Sequence, residues 1–170
     1  QIENPVGKTT FDKPIERDAI KQCFKKINRQ FPSKKVVIGV PSKHAVFRYV
    51  QFPLLNQKEL KEAIFWELQE FDNMFNEDFT SDYELINKGK DVNNVLLVAT
   101  PKRITMDYAT IAFDSGLPLK ALDIYPLANA RVLKEEEVTD VTAILDLRSN
   151  YSEITIIDDG KVILSRVLGY

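Results

Sequence analysis

Val36-Val37-Ile38-Gly39-Val40-Pro41-Ser42, then Ala45-Val46-Phe47-Arg48-Tyr49-Val50-Gln51-Phe52-Pro53, then the segment Asn56 to Phe71, decide the fold. The first run is short, apolar and β-branched and stops at a proline, the pattern of a strand buried on both faces before a turn. The second mixes aromatic and β-branched residues, which suit a pleated surface, and Pro53 ends it. Asn56 with Glu59 three residues on predicts a helix N-terminus held by a capping box. Leu60, Ala63, Ile64, Leu68 and Phe71 then recur at offsets of three and four, one stripe facing a sheet. Phe65 and Trp66 lie outside that stripe. Large aromatics at a stripe's edge usually widen the buried face, so packing against a neighbouring element is the expectation, and a contact point for another protein the alternative.

Outward from this centre, the composition is that of an ordinary globular chain. The 170 residues suffice for one large domain or two small ones and for burying ~70% of the unfolded surface. Hydrophobic residues at 44% and charged residues at 28% favour neither disorder nor a membrane class. The 23 basic and 25 acidic residues are mixed along the chain, for a net charge of −2, which argues against a nucleic-acid partner held by phosphate contacts. The lone Cys23 excludes an intramolecular disulfide. No apolar run approaches the ~20 residues that span a bilayer and no secretory leader is visible, so the cytoplasm is the expected compartment. The start at Gln1 and the end at Gly169-Tyr170, directly after an apolar run, read as those of a fragment of something longer.

In order, Gln1 to Pro14 is polar and reads as a loop or edge extension. Ile15 to Phe31 has helical spacing through Ala19, Ile20, Cys23, Phe24, Ile27 and Phe31, with Pro32 as its stop. Cys23 falls in the apolar stripe and reads as a buried, inert thiol. Asp72 to Thr80 is an acidic loop in which Met74, Phe75 and Phe79 either plug the sheet edge, the favoured reading, or stay exposed for a partner. Ser81 to Ile86 and Asn94 to Ala99 read as a hairpin around Asn87-Lys88-Gly89-Lys90-Asp91. Thr100 should cap a helix with Pro101 in its first position, buried through Ile104, Tyr108, Ile111 and Ala112 and ended by Gly116. Leu119 to Ile124 is a further strand and Tyr125 to Lys134 a short helix. Lys134-Glu135-Glu136-Glu137 is a solvated charge run expected at a domain boundary. Thr142 to Leu147, Ser152 to Ile157 and Lys161 to Leu168 form an antiparallel meander, with Asp158-Asp159-Gly160 as its second turn.

Chemistry is suggested in one place, the loop Asp146-Leu147-Arg148-Ser149-Asn150-Tyr151-Ser152. A carboxylate at a strand end before a turn of hydroxyl and amide residues can hold a nucleotide phosphate on backbone N–H groups, with Asp146 near a metal. A polar hairpin turn is the plainer reading. His44 is the single histidine, so histidine metal clusters and Ser/His/Asp or Cys/His triads lack material. No Walker loop, glycine fingerprint or paired-cysteine motif occurs.

Several runs together resemble one family. They are Phe47-Arg48-Tyr49-Val50-Gln51-Phe52-Pro53, Glu59-Leu60-Lys61-Glu62-Ala63-Ile64 with Glu67, Asp82-Tyr83, Val95-Leu96-Leu97-Val98-Ala99, Asp107-Tyr108, Gly116-Leu117, Ala121-Leu122-Asp123, and Leu145-Asp146-Leu147 on to Ile154. In order and spacing they are similar to the PilM family of type IV pilus assembly, with FtsA of cell division and GspL of type II secretion as the relatives it can be confused with. The resemblance covers nearly the whole chain.

It implies an α/β, actin-like fragment. Residues 1–33 would belong to a first lobe, Lys34 to Ser115 to an inserted sheet-and-helix interaction domain, 116–137 to a return to the first lobe, and 138–170 to the start of a second lobe with its phosphate hairpin. It implies a cytoplasmic scaffold, peripheral at the inner face of the membrane, that binds the cytoplasmic tail of a PilN-like inner-membrane protein. Other pilus assembly proteins and self-association are further partners, without nucleic acid or a membrane span of its own. Val36, Ile38, Val40, Phe52 and Pro53 are the expected tail-binding residues. ATP and Mg belong to the full-length parent, at Asp146, Arg148, Ser149, Asn150 and Ser152 with Asp146 at the metal. Family hairpins carry Gly two residues after the aspartate; here that position is Arg148, which either reaches a phosphate or fills its place. The first phosphate hairpin and the adenine-side segments are missing from this chain, so weak or no ATP binding by it is expected. The alternative function is an ATPase of the actin/hexokinase superfamily or an FtsA-like filament protein.

Overall fold

The computed structural model describes residues 17–32, 35–88, 91–135, 140–148 and 151–168. Its elements are α1 (Arg17–Gln30), β1 (Val36–Val40), β2 (Val46–Pro53), α2 (Gln57–Gln69), β3 (Phe79–Lys88), β4 (Val92–Pro101), α3 (Lys102–Asp114), β5 (Leu119–Ile124), α4 (Tyr125–Glu135), β6 (Thr142–Leu147), β7 (Ser152–Asp158) and β8 (Lys161–Leu168). They fall into two compact units, residues 44–105 and the remainder, with the chain passing between them after Lys43 and within α3. The sequence boundary of the inserted segment, Lys34 to Ser115, runs wider than the 44–105 unit. The charge run beginning at Lys134 has its side chains outside the described residues, as do Gln1 to Pro14 and the turn residues Gly89 and Lys90.

In the 44–105 unit, β4 lies between β2 and β3 in an antiparallel sheet. Leu97 pairs with both Arg48 and Tyr83, which fixes the register at the sheet's centre. Helix α2 starts where the capping box put it: the Asn56 side chain accepts from Lys58 and Glu59 N–H at 3.0 Å, and the Asn56 N–H donates to Glu59 Oε2 at 3.0 Å. Its stripe closes the core, in which Leu60, Ile64 and Phe71 are buried with Phe52, Val95, Leu97 and Ala99. Phe75 and Phe79 stack at 5.5 Å beside this core, so they do plug the sheet, whereas Met74 stays exposed. Phe65 and Trp66 depart from expectation. They are 57% and 70% exposed and touch each other edge to face, because the narrower stripe already fills the sheet face. Thr100 also departs: it is the penultimate residue of β4, and its hydroxyl donates to the His44 carbonyl. Pro101 is the last residue of β4, and α3 begins one residue later, its first N–H donating to the Asp78 carbonyl at 2.8 Å.

In the other unit β1 pairs in parallel with β5 alone among the described residues, Val40 opposite Ile124. Val37 is therefore 54% exposed, and the expectation of a strand buried on both faces does not hold, because a two-stranded sheet has too few neighbours to cover both. Helix α1 lays a half-buried stripe that includes Cys23, so the thiol is less buried than its spacing predicts. Lys21 pairs with Asp114 at 2.8 Å, and Arg17 pairs with Asp107. The end of α3 is set by Gly116 at φ 69°, where Leu117 N–H reaches the Ala112 carbonyl and Gly116 N–H that of Phe113, both at 2.9 Å. The meander forms as expected, and Asp159 and Gly160, both at positive φ, make the tight turn between β7 and β8.

Candidate functional site

The hairpin between β6 and β7 brings Asp146 and Arg148 together. Arg148 donates to one oxygen of Asp146 through Nε at 2.8 Å and Nη2 at 2.6 Å. Its backbone N–H donates to the Tyr151 carbonyl at 3.0 Å. The guanidinium lies 4.4 Å from the centre of the Tyr125 ring and 5.5 Å from that of Tyr151, both within cation–π range. Ser152 is buried on β7, and Ser149 and Asn150 lie outside the described residues. Beside Asp146 across the ladder stands Glu153, buried and accepting from Ser165 Oγ at 2.7 Å, which is the partner a buried carboxylate requires.

Three tyrosines line this place. Burial, followed by Tyr125, Tyr151 and Asp107, pushes Tyr108 up to about 12. Burial also raises Tyr151, against the pull of Arg148. Arg148 itself loses solvation, but its hydrogen bonds to Asp146 and Tyr125 outweigh that and raise it further above its ordinary value. The cluster thus holds one fixed cation on one carboxylate, with the raised phenols of Tyr108 and Tyr151 beside it. Tyr125 fits because Gly39 on β1 has no Cβ; one built there would overlap its ring. Neither Tyr125 nor Gly39 was legible as part of the site, since each meets Arg148 or its neighbours from far along the chain. Among the described residues no three His, Cys, Asp or Glu side chains gather in a metal-holding group.

The residues expected to bind a peptide come from both units. Val36, Ile38 and Val40 stand on β1, with Val40 3% exposed, whereas Phe52 and Pro53 end β2 in the other unit. Phe52 belongs to the core under α2, and Pro53 is exposed. A second surface, read from the sequence only as an alternative, is a shallow hollow on α2 lined by Lys61, Glu62, Phe65 and Trp66. No helix among the described residues is long and apolar enough to cross a membrane.

Comparison with known proteins gives these features a family. Curated protein sequences yield no match. Among solved structures, a chain of the PilM-PilN type IV pilus biogenesis complex superposes with a TM-score of 0.74 at 22% identity, over 97% of this chain and 52% of that one. The chain therefore spans about half the length of that relative. The cytoplasmic domain of EpsL, an inner-membrane component of the type II secretion system of Vibrio cholerae, follows with a TM-score of 0.57 at 9% identity, over 88% of this chain and 56% of that one. These likenesses show the fold, and the α/β class expected from the sequence is the one observed. The family model of type IV pilus assembly protein PilM matches residues 2–170, and the chain belongs to that family.

Proposed function

We propose that this chain is part of a cytoplasmic scaffold of the type IV pilus assembly platform, and that it binds the cytoplasmic tail of a PilN-like inner-membrane protein. The observation that carries the reading is the PilM family match over residues 2–170, supported by a fold shared with a PilM-PilN complex. Binding of an extended tail needs no covalent chemistry. Strand-edge hydrogen bonds supply affinity and side-chain pockets supply register. Both β1 and β2 stand at the edge of their sheets among the described residues, which suits them to that role. Val36, Ile38 and Pro53 are the contact residues on these edges, while Val40 and Phe52 act from beneath by holding the strands in place. Attachment to the inner face of the membrane follows through the partner. The domain plan goes with this reading: the inserted interaction domain, Lys34 to Ser115, takes in the compact 44–105 unit, and the meander opens the second lobe.

The test is isothermal titration of the chain with a synthetic copy of the PilN-like tail from the same genome. Saturable binding is expected, lost when the tail's apolar residues are scrambled and weakened when alternate backbone nitrogens are methylated. No binding to the native tail would overturn the reading.

A further inference from the structure

An actin-like fold implies a divalent cation and a nucleotide phosphate at a hairpin such as β6–β7, and the residues present do not fit that pair. One Asp146 oxygen already takes two N–H donors from Arg148. The guanidinium lies against the Tyr125 and Tyr151 rings, and the backbone N–H of Arg148 is tied to the Tyr151 carbonyl. A phosphate would have to approach backbone where an arginine stem now stands. A metal would have to displace a two-donor, charge-assisted contact, and among the described residues no group of three His, Cys, Asp or Glu side chains gathers to repay it; the neighbouring Glu153 is buried and accepts from Ser165 Oγ.

We propose that Arg148 is a built-in replacement for the cation and phosphate, so that the β6–β7 hairpin is closed by its own Asp146–Arg148 pair and Tyr125 stack and takes no Mg-nucleotide. The hairpin is then locked in one state instead of being switched by a ligand. Gly39 belongs to the same device, since its missing side chain seats Tyr125 under the guanidinium. The inference stands apart from the tail-binding reading and survives its failure.

The experiment uses the whole 170-residue chain and its Arg148→Ala and Asp146→Ala variants, with thermal melting and calorimetric titration against Mg-ATP. For the unaltered chain, a melting temperature unmoved by Mg-ATP and no saturable heat are expected. Arg148→Ala should melt about 2–4 °C lower. Saturable Mg-ATP binding with a Kd below about 0.1 mM, lost in Asp146→Ala, would overturn the proposal. So would an Arg148→Ala variant that melts with the unaltered chain. Should that variant fail to fold, the Nε–H resonance of Arg148 in the unaltered chain decides. A resolved, slowly exchanging signal indifferent to Mg-ATP supports the closed hairpin, and an averaged or Mg-ATP-shifted one refutes it.

Discussion

The β2–β4–β3 sheet and the β6–β7–β8 meander are both three antiparallel strands, yet they distribute polarity in opposite ways. In the first, the shielded face is apolar: Val95, Leu97 and Ala99 lie against Leu60, Ile64 and Phe71. In the meander the buried residues include Glu153 and Thr155, alongside Ile157 and Val162. Leu145, Leu147, Leu164 and Leu168 remain exposed, and the register puts them on one face with Ile154 and Ile156. The first sheet draws its cohesion from its own helix. The meander relies more on paired polar groups, and hydrophobic burial contributes little on its open side.

That contrast can be broken by substitution. Phe71→Ala removes a ring with no exposed surface and should cost about 3–5 kcal/mol by chemical denaturation; a loss under about 1 kcal/mol would mean that the α2 side of the sheet is not the core it is taken to be. Asn56→Ala, which removes both acceptor contacts of the capping box, should cost about 1 kcal/mol in the same measurement. Leu145→Ser on the open face of the meander should move stability by no more than about 0.5 kcal/mol. Sedimentation should show the same variant less prone to self-association. A destabilisation of several kcal/mol there would erase the difference between the two sheets.

Much of the first region could be read from sequence because its determinants are local. The Asn56–Glu59 pair, the stripe from Leu60 to Phe71 and the Phe75–Phe79 plug all lie within a few turns of one another. The second region was legible as strands and turns but not as packing. Val36–Val40 looked doubly buried because hydropathy reports what a strand can bury, and the number of its neighbours is set by β5, far along the chain. Asp146 stood out as a carboxylate at a strand end before a polar turn, and Arg148 through the family resemblance, where it takes a glycine's place. That their charges are spent on each other depends on Tyr125 and Gly39, which no local pattern connects to the hairpin. Phe65 and Trp66 mark the limit of edge-of-stripe reasoning, since a stripe of ordinary width already sufficed.

The parallel pairing of β1 with β5 also bears on time. Val40 meets Ile124, 84 positions later, whereas every other strand pairs with a nearer neighbour in the chain. Contacts so distant in sequence form slowly, since a long loop must close before they reward the closure. The 44–105 unit lies wholly inside that loop and has its own core, so it can condense first and shorten the remaining search. Pulse-labelled hydrogen exchange during refolding should then find β4 amides protected before those of β1, and the reverse order would show that closure leads. Kinetically, the two strands behave as a clasp fastened last.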